Sequence, residues 1–143
     1  MRRALLAAVA VTIPLSMVSV AFANPAWAKT KAEKSITCKS FSGTVGGGIT
    51  AGGCNGNTGG GSQPLTAAAL ASGGTVKWLS GKTTTIAAPT LGTVKNKKCS
   101  GTAESVSAAV TADTTGLATL GTMTTQVCIS GTSVSALKPV KIT

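Results

Sequence analysis

Acidic side chains are scarce in this sequence, and their spacing does not suit acid–base catalysis. The chain has three of them, Glu33, Glu104 and Asp113. Glycoside hydrolysis needs two carboxylates that face each other across a cleft, roughly 5 to 10 Å apart. Glu104 and Asp113 fall in one predicted strand, where about nine residues at about 3.3 Å each separate them by about 30 Å. We therefore expect no pair of carboxylates that could share a substrate.

Nucleophilic catalysis would lack its usual base, because the chain has no histidine. A Ser-Lys dyad stays an alternative, since eleven lysines follow residue 28, but no spacing selects a pair. The glycine-rich segment 46–53 (GGGITAGG) has neither the G-K-[ST] sequence nor the following helix of a phosphate-binding loop. We expect a protein that is not an enzyme and needs no cofactor, with a hydrolase of unrecognised site as an alternative.

The four cysteines, Cys38, Cys54, Cys99 and Cys128, do not have the spacing of a metal site. A zinc site needs close pairs such as C-x-x-C, or histidines, and the chain has neither. An even number of cysteines in an exported protein instead indicates two disulfides, for which three pairings are possible. If each pair brackets a hairpin, the bonded cysteines lie at equal distances from its turn. This predicts that Cys38 pairs with Cys54 and Cys99 with Cys128.

The stretch AVTADTTGLATL, residues 109–120, is predicted to be a hairpin with a tight turn at residues 113–116. Asp113 would form this turn by bonding the backbone two residues further on. Gly116 would take the positive φ that glycine adopts without strain. Replacing Asp113 by Asn is then expected to be nearly silent.

Lysine dominates the charge of the chain. Beyond residue 28 there are eleven lysines, three acids and no arginine, which gives a net charge of +8. Lys95, Lys97 and Lys98 form a cluster, and we regard them as candidate contacts for an anionic polymer of the cell envelope. Sequence-specific nucleic-acid binding is not expected, because arginine forks and aromatic platforms are missing. Alternatively, the lysines only solvate the surface and protect sheet edges.

Trp78 and Phe41 are the only aromatic residues beyond residue 28. In a core so poor in aromatic side chains, we expect Trp78 to be the central packing residue, beside Val76. The alternative is an exposed platform that stacks against a sugar ring.

The first 28 residues have the parts of a secretory signal peptide. Two arginines precede the apolar stretch 4–20, and small-x-small cleavage sites end at Ala28 and at Ala23. The expected mature chain is secreted or held in the cell envelope and contains no transmembrane segment. The expected organisation is a signal peptide at 1–28, a flexible basic tail at 29–34 and a single β-domain at 35–143.

Turn signals at short intervals divide the domain into about six or seven predicted strands. Residues 75–79 and 83–87 flank a turn at Ser80-Gly81, and the last two strands meet at Ser130-Gly131. Pro139 has no N–H for a strand ladder, so the last strand is expected to be an edge or to be bulged there.

Two segments depart from the strand pattern. Residues 54–64 (CNGNTGGGSQP) are expected to form a mobile surface loop, and residues 65–71 (LTAAALA) a single helical turn. The predicted fold class is all-β, either a small antiparallel immunoglobulin-like β-sandwich or a partly open barrel, with two intra-hairpin disulfides.

The chain resembles a group of small exported β-proteins of actinobacteria. The similarity lies in ITCKSFSGTVGGGITAGGC, GGTVKWLSGKTTTI, SVSAAVTADTTG and VCISG. It implies a β-architecture with two disulfides and no particular activity. The chain also resembles, more weakly, the immunoglobulin-like apoproteins of the enediyne chromoproteins, which share a VTAD-x-x-G hairpin. Those proteins are acidic and their disulfides close short loops, and this chain differs on both points.

These observations predict an exported, non-catalytic β-domain that acts in the envelope or outside the cell, with weak affinity for anionic polymers. A carrier with a small-ligand pocket between sheets is the alternative, since many inward residues are small. No metal site and no cofactor are expected, and the oligomeric state stays open.

Overall fold

The computed structural model describes residues 35–118 and 121–143. The predicted signal peptide, the basic tail and Glu33 lie outside these residues. The described part is nearly all β-structure, which confirms the predicted fold class. Its elements are β1 (Ile36–Thr44), β2 (Gly48–Cys54), β3 (Leu65–Thr66), α1 (Ala67–Ala71), β4 (Gly74–Lys77), β5 (Thr83–Ile86), β6 (Thr90–Thr93), β7 (Thr102–Asp113), β8 (Thr122–Ser130) and β9 (Ser133–Ile142).

The strands form one antiparallel sheet in the order β3-β2-β1-β9-β8-β7-β5-β4. The long strand β7 has two partners on one side, because β6 pairs with its first half and β5 with its last residues. The sheet curls until its two ends approach each other, so the domain is a nearly closed barrel. Of the two architectures expected from the sequence, the barrel is the one that forms.

Residues 60–63 close the barrel between β2 and β4. Gly61 bridges to Gly52 in β2, and Ser62 bridges to Trp78 just after β4. A side chain at Gly61 would place its Cβ 2.8 Å from the carbonyl oxygen of Ala51, so this close approach requires glycine.

The segment 54–64 was expected to be a mobile surface loop, and most of its residues are indeed exposed. Its buried residues attach it to the barrel. Thr58 is completely buried, and its hydroxyl donates to the carbonyl of Asn55 at 3.0 Å. The Oγ of Ser62 accepts from the amide of Ala51 at 2.9 Å. These hydrogen bonds pair polar groups that would otherwise be buried without partners.

The expected helical turn is confirmed as α1, which Thr66 caps through its hydroxyl. Among the described residues, no helix combines the length and the apolar character needed to cross a membrane.

The tight turn expected at residues 113–116 is not formed. The pairing of β7 with β8 ends at Ala109 and Thr122, and Asp113 pairs instead with Thr84 of β5. The connection between β7 and β8 is longer than a tight turn. Residues that follow β7 donate hydrogen bonds to the Asp113 carboxylate and are held near the end of the strand. Gly116 has the expected positive φ, at +75°.

The last strand is not a sheet edge, because β9 lies between β1 and β8. The expected bulge is present: the β8–β9 register shifts between Gln126, which pairs with Lys138, and Thr124, which pairs with Lys141. Pro139 lies within this shift, where its missing N–H interrupts no ladder position.

Both predicted disulfide pairings are confirmed. Cys38 and Cys54 are cross-strand partners in β1 and β2. Cys99 lies just before β7, and its bond to Cys128 fixes the β6–β7 connection to β8. One bond therefore secures a strand pair, and the other secures a loop.

Removing the second disulfide tests how much the loop attachment stabilises the barrel. The Cys99→Ala/Cys128→Ala protein is expected to lose about 2 to 5 kcal/mol of unfolding free energy, because the bond closes a loop of 29 residues. The measurement is urea unfolding followed by tryptophan fluorescence. The matched control is Cys38→Ala/Cys54→Ala, whose loop of 16 residues predicts a slightly smaller entropic loss. Equal stability of wild type and the first variant would contradict the prediction.

Candidate functional site

Trp78 fills one end of the barrel. Its side chain is 1% exposed and packs in the main apolar cluster with Val76, Ile36 and Ile142. The prediction of a central packing residue is confirmed, and the sugar-platform interpretation is wrong because the indole face is not accessible.

A chain of hydrogen bonds leads from this tryptophan to Asp113. The Trp78 indole N–H donates to the hydroxyl of Thr84 at 2.8 Å, and this hydroxyl donates to Asp113 Oδ1 at 2.6 Å. Asp113 Oδ2 accepts from the Thr115 hydroxyl at 2.6 Å and from the amides of Leu117 and Ala118 at 3.1 and 3.3 Å. The carboxylate therefore joins β4, β5, β7 and the loop that follows β7.

These contacts change the acidity of Asp113. Partial burial by itself raises the pKa of the carboxyl, but the hydrogen bonds from Thr115, Thr84, Leu117 and Ala118 outweigh it. Together they hold the pKa of Asp113 below its ordinary value of 3.8. All four donors are neutral hydroxyl or amide groups, so the ionised form is stabilised by geometry and not by a cation. Asp113 has a structural role that its neighbours in sequence did not reveal.

The opposite end of the barrel contains an apolar pocket of about 230 Å³. Its innermost wall consists of buried side chains from β2, β8 and β9, and α1 contributes Ala67, Leu70 and Ala71. Its rim includes two exposed apolar side chains, Val45 at 46% and Leu91 at 55%. The buried wall residues are Ile49, Met123, Val127, Val134 and Val140.

The pocket exists because the barrel has too little side-chain volume to fill both ends. Trp78 occupies the closed end, and Phe41 lies between the pocket and a small void next to Trp78. No other aromatic side chain follows residue 28. Barrels of about eight strands have room either for packed side chains or for one small ligand. This barrel is packed around Trp78 at one end and has a pocket at the other.

In the part of the chain that the structure describes, Glu104 is the only ionisable side chain that lines the pocket. It lies on β7 two residues before Val106, which places it on the inward face because alternate residues of a strand share a face. Its cross-strand partners are Thr93 in β6 and Val127 in β8. The sequence analysis considered Glu104 only as a catalytic acid, although its alternation with Val106, Ala108 and Val110 could have placed it inside.

The structure separates the residues that sequence analysis considered for catalysis. Glu104 lies at the pocket and Asp113 at the far end of the same strand. Within residues 35–118 and 121–143, no three histidine, cysteine, aspartate or glutamate side chains group as metal ligands would. The arrangement is suited to binding and offers no recognisable acid–base pair.

Lys95, Lys97 and Lys98 are exposed on the β6–β7 connection, beside the disulfide of Cys99. The other lysines of the described part are also exposed. A shallow polar groove crosses the outer face of β7, β8 and β9, and Lys138 and Lys141 line it. The polyanion contacts thus have a second candidate location that the sequence did not indicate.

Comparison with protein-family models, curated proteins and solved structures gives no match to this chain. The resemblances to small actinobacterial β-proteins and to enediyne apoproteins therefore stay predictions. The functional argument depends on the geometry of the pocket and on the surface charge.

The Asp113 contacts correct the expectation that Asp113→Asn is silent. The amide nitrogen of Asn cannot accept the hydrogen bonds that Oδ2 receives, so we expect this variant to lose about 1 to 3 kcal/mol of unfolding free energy. The measurement is urea unfolding at pH 7.

The same contacts predict a pH dependence. Because the pKa of Asp113 is lower in the folded state, its contribution is complete at neutral pH, begins to fall as pH approaches 3.8 and is lost below the folded pKa. Asp113→Asn should remove that part of the acid destabilisation, whereas Glu33→Gln should keep it. Parallel acid profiles of wild type and Asp113→Asn would contradict this role.

Proposed function

We propose that this protein is an exported binding protein that carries one small, largely apolar molecule in the open end of its barrel. The observation that supports the proposal is the apolar pocket of about 230 Å³ between α1 and the strand wall. Hydrophobic burial drives such binding, because water leaves both the ligand and the pocket lining.

The pocket volume limits the ligand to a small molecule. An engineered apolar cavity of about 150 Å³ takes up benzene, and drug-sized ligands occupy pockets of about 300 to 1,000 Å³. A single ring or a chain of about six to eight carbons is therefore the appropriate size. At about 0.8 kcal/mol per buried CH₂, a six-carbon probe gains about 5 kcal/mol. The cost of association offsets part of this gain, so we expect weak binding, with a Kd of about a millimolar or above.

Two disulfides support the exported location. Such bonds persist in oxidising compartments and are rare in the cytosol of mesophiles. The signal-peptide pattern of residues 1–28 points to the same location. A secreted or envelope-associated carrier meets small apolar molecules outside the cell, where they are poorly soluble.

The exposed lysines support a second candidate function, adhesion to anionic envelope polymers. Eight lysines and two acids lie in the described residues, and each of the eight is exposed. The groove lined by Lys138 and Lys141 offers hydroxyl and amide side chains beside its two ammonium groups. Isolated ammonium groups act as point charges, so this binding would be weak and would depend on charge density.

Filling the pocket tests the carrier function. Val127 is 5% exposed and forms part of the inner wall. The Val127→Phe ring should occupy the space, reduce the affinity for hexan-1-ol at least about tenfold and leave the melting temperature unchanged or higher, because a void is removed. Affinities are measured by isothermal titration calorimetry. Val127→Ala is the matched control, since it enlarges the pocket and should retain binding. Unchanged binding by Val127→Phe would contradict the proposed site.

Salt-dependent retention on a heparin column tests the adhesion function. Wild type should bind at low ionic strength and elute as the Debye length falls from about 30 Å at 0.01 M to about 8 Å at 0.15 M salt. Replacing Lys95, Lys97 and Lys98 by Gln should lower the eluting salt concentration more than replacing Lys39, Lys77 and Lys82, which removes the same charge. A protein that passes through at the lowest salt would exclude this function.

A third variant locates the contact on the surface. Lys138→Gln/Lys141→Gln removes the two ammonium groups of the outer groove. If this pair of substitutions reduces retention more than the triple substitution of the β6–β7 connection, the predicted contact at Lys95, Lys97 and Lys98 is wrong and the groove replaces it.

A further inference from the structure

We propose that the ligand of the barrel pocket carries a positively charged amino group, and that the carboxylate of Glu104 binds it. This inference rests on the proposed carrier function and specifies the chemical class of its ligand. The class is a small ammonium compound with an apolar body, comparable to a short alkylamine or to an arylalkylamine with a single ring.

The first observation is that Glu104 is the one charged side chain among the described residues that line the pocket. Thr125 is the other polar residue of that lining. The Thr125 hydroxyl already donates to the carbonyl of Lys138 at 2.9 Å. A ligand inside the pocket therefore has one strong hydrogen-bond acceptor available, and that acceptor is anionic.

The second observation is the position of Glu104 in β7. Its inward face continues through Val106, Ala108 and Val110, which belong to the apolar core or pack against it. Glu104 is half-buried and lines the pocket, so its carboxylate is accessible to a bound molecule. A ligand whose apolar body packs against this face would bring an ammonium group within reach of the carboxylate and form a charge-assisted hydrogen bond.

The third observation concerns the lysines. Eight of them lie in the described residues, and none lines the pocket. The described part of the chain therefore offers no lysine to Glu104 inside the pocket. An anionic ligand would meet a like charge there, whereas a cationic ligand would form a charge-assisted hydrogen bond.

Three probes with the same six-carbon chain separate the contributions of charge and apolar surface. They are hexylammonium, hexan-1-ol and hexanoate, each titrated into the purified protein at pH 7 by calorimetry. The location of binding is read from the ¹³C methyl resonance of Met123, which lines the pocket. The chain has three methionines, so the resonance is assigned with Met123→Leu.

We expect hexylammonium to bind about tenfold more tightly than hexan-1-ol, and hexanoate to bind most weakly. Glu104→Gln should reduce the affinity for hexylammonium about tenfold and change the affinity for hexan-1-ol less than twofold. Glu33→Gln makes the same change of net charge outside the described residues and should leave all three affinities unchanged. Glu104→Lys should reverse the preference and favour hexanoate.

The outcomes distinguish this inference from the function on which it rests. If hexan-1-ol shifts the Met123 resonance but hexylammonium gains nothing over it, or if Glu104→Gln binds hexylammonium as wild type does, the role of Glu104 is wrong and the carrier function stands. If none of the three probes shifts the Met123 resonance, the carrier function fails and the inference fails with it. Tryptophan fluorescence and the melting temperature of each variant establish that it is folded.

Discussion

The hydrogen-bond chain from the Trp78 indole through Thr84 to Asp113 holds the closed end of the barrel together. A buried indole N–H and a buried hydroxyl both need partners, because an unsatisfied polar group inside a protein costs free energy. The carboxylate supplies the final acceptor and also binds the loop after β7. One ionised group thus joins strands that are distant in sequence and lets the largest side chain of the core be buried completely.

Trp78 is completely buried at one end of the barrel, whereas the other end contains the pocket. A sequence that is rich in Gly, Ala, Ser and Thr supplies little volume per residue, and the single tryptophan beyond residue 28 can occupy only one place. The walls are still spaced by the strand ladders, whose separation does not depend on the side chains inside. The open end therefore keeps its width without being filled. The pocket in this fold therefore depends on the amino-acid composition as much as on the conformation of any loop.

Local patterns were enough to predict all strands except β3 and β6, and also the two disulfide pairings, the helical turn and the burial of Trp78. Each of these depends on neighbouring residues or on symmetry about a turn. The sequence was insufficient to predict contacts between residues that lie far apart in the chain. The residues around Asp113 are typical of a turn, yet the hydroxyl of Thr84, 29 residues away, donates a hydrogen bond to its carboxylate. The glycines of 54–64 are typical of a loop, but the approach of β2 to β4 places one of them, Gly61, in the barrel wall. Simple alternation could have predicted the inward position of Glu104, whereas the pocket beside it depends on the whole barrel.

The short helix α1 forms one wall of the pocket, and this wall is less stable than the strands that form the others. None of its five residues is buried, yet three of them line the pocket between the ends of the curled sheet. A single helical turn has little intrinsic stability, whereas the ladders of β7, β8 and β9 open only with much of the barrel. Amide hydrogens of α1 will therefore exchange with solvent faster than those of the strand wall. In the proposed carrier, this turn is therefore the wall that would adjust to ligands of slightly different width, without a shift in strand register.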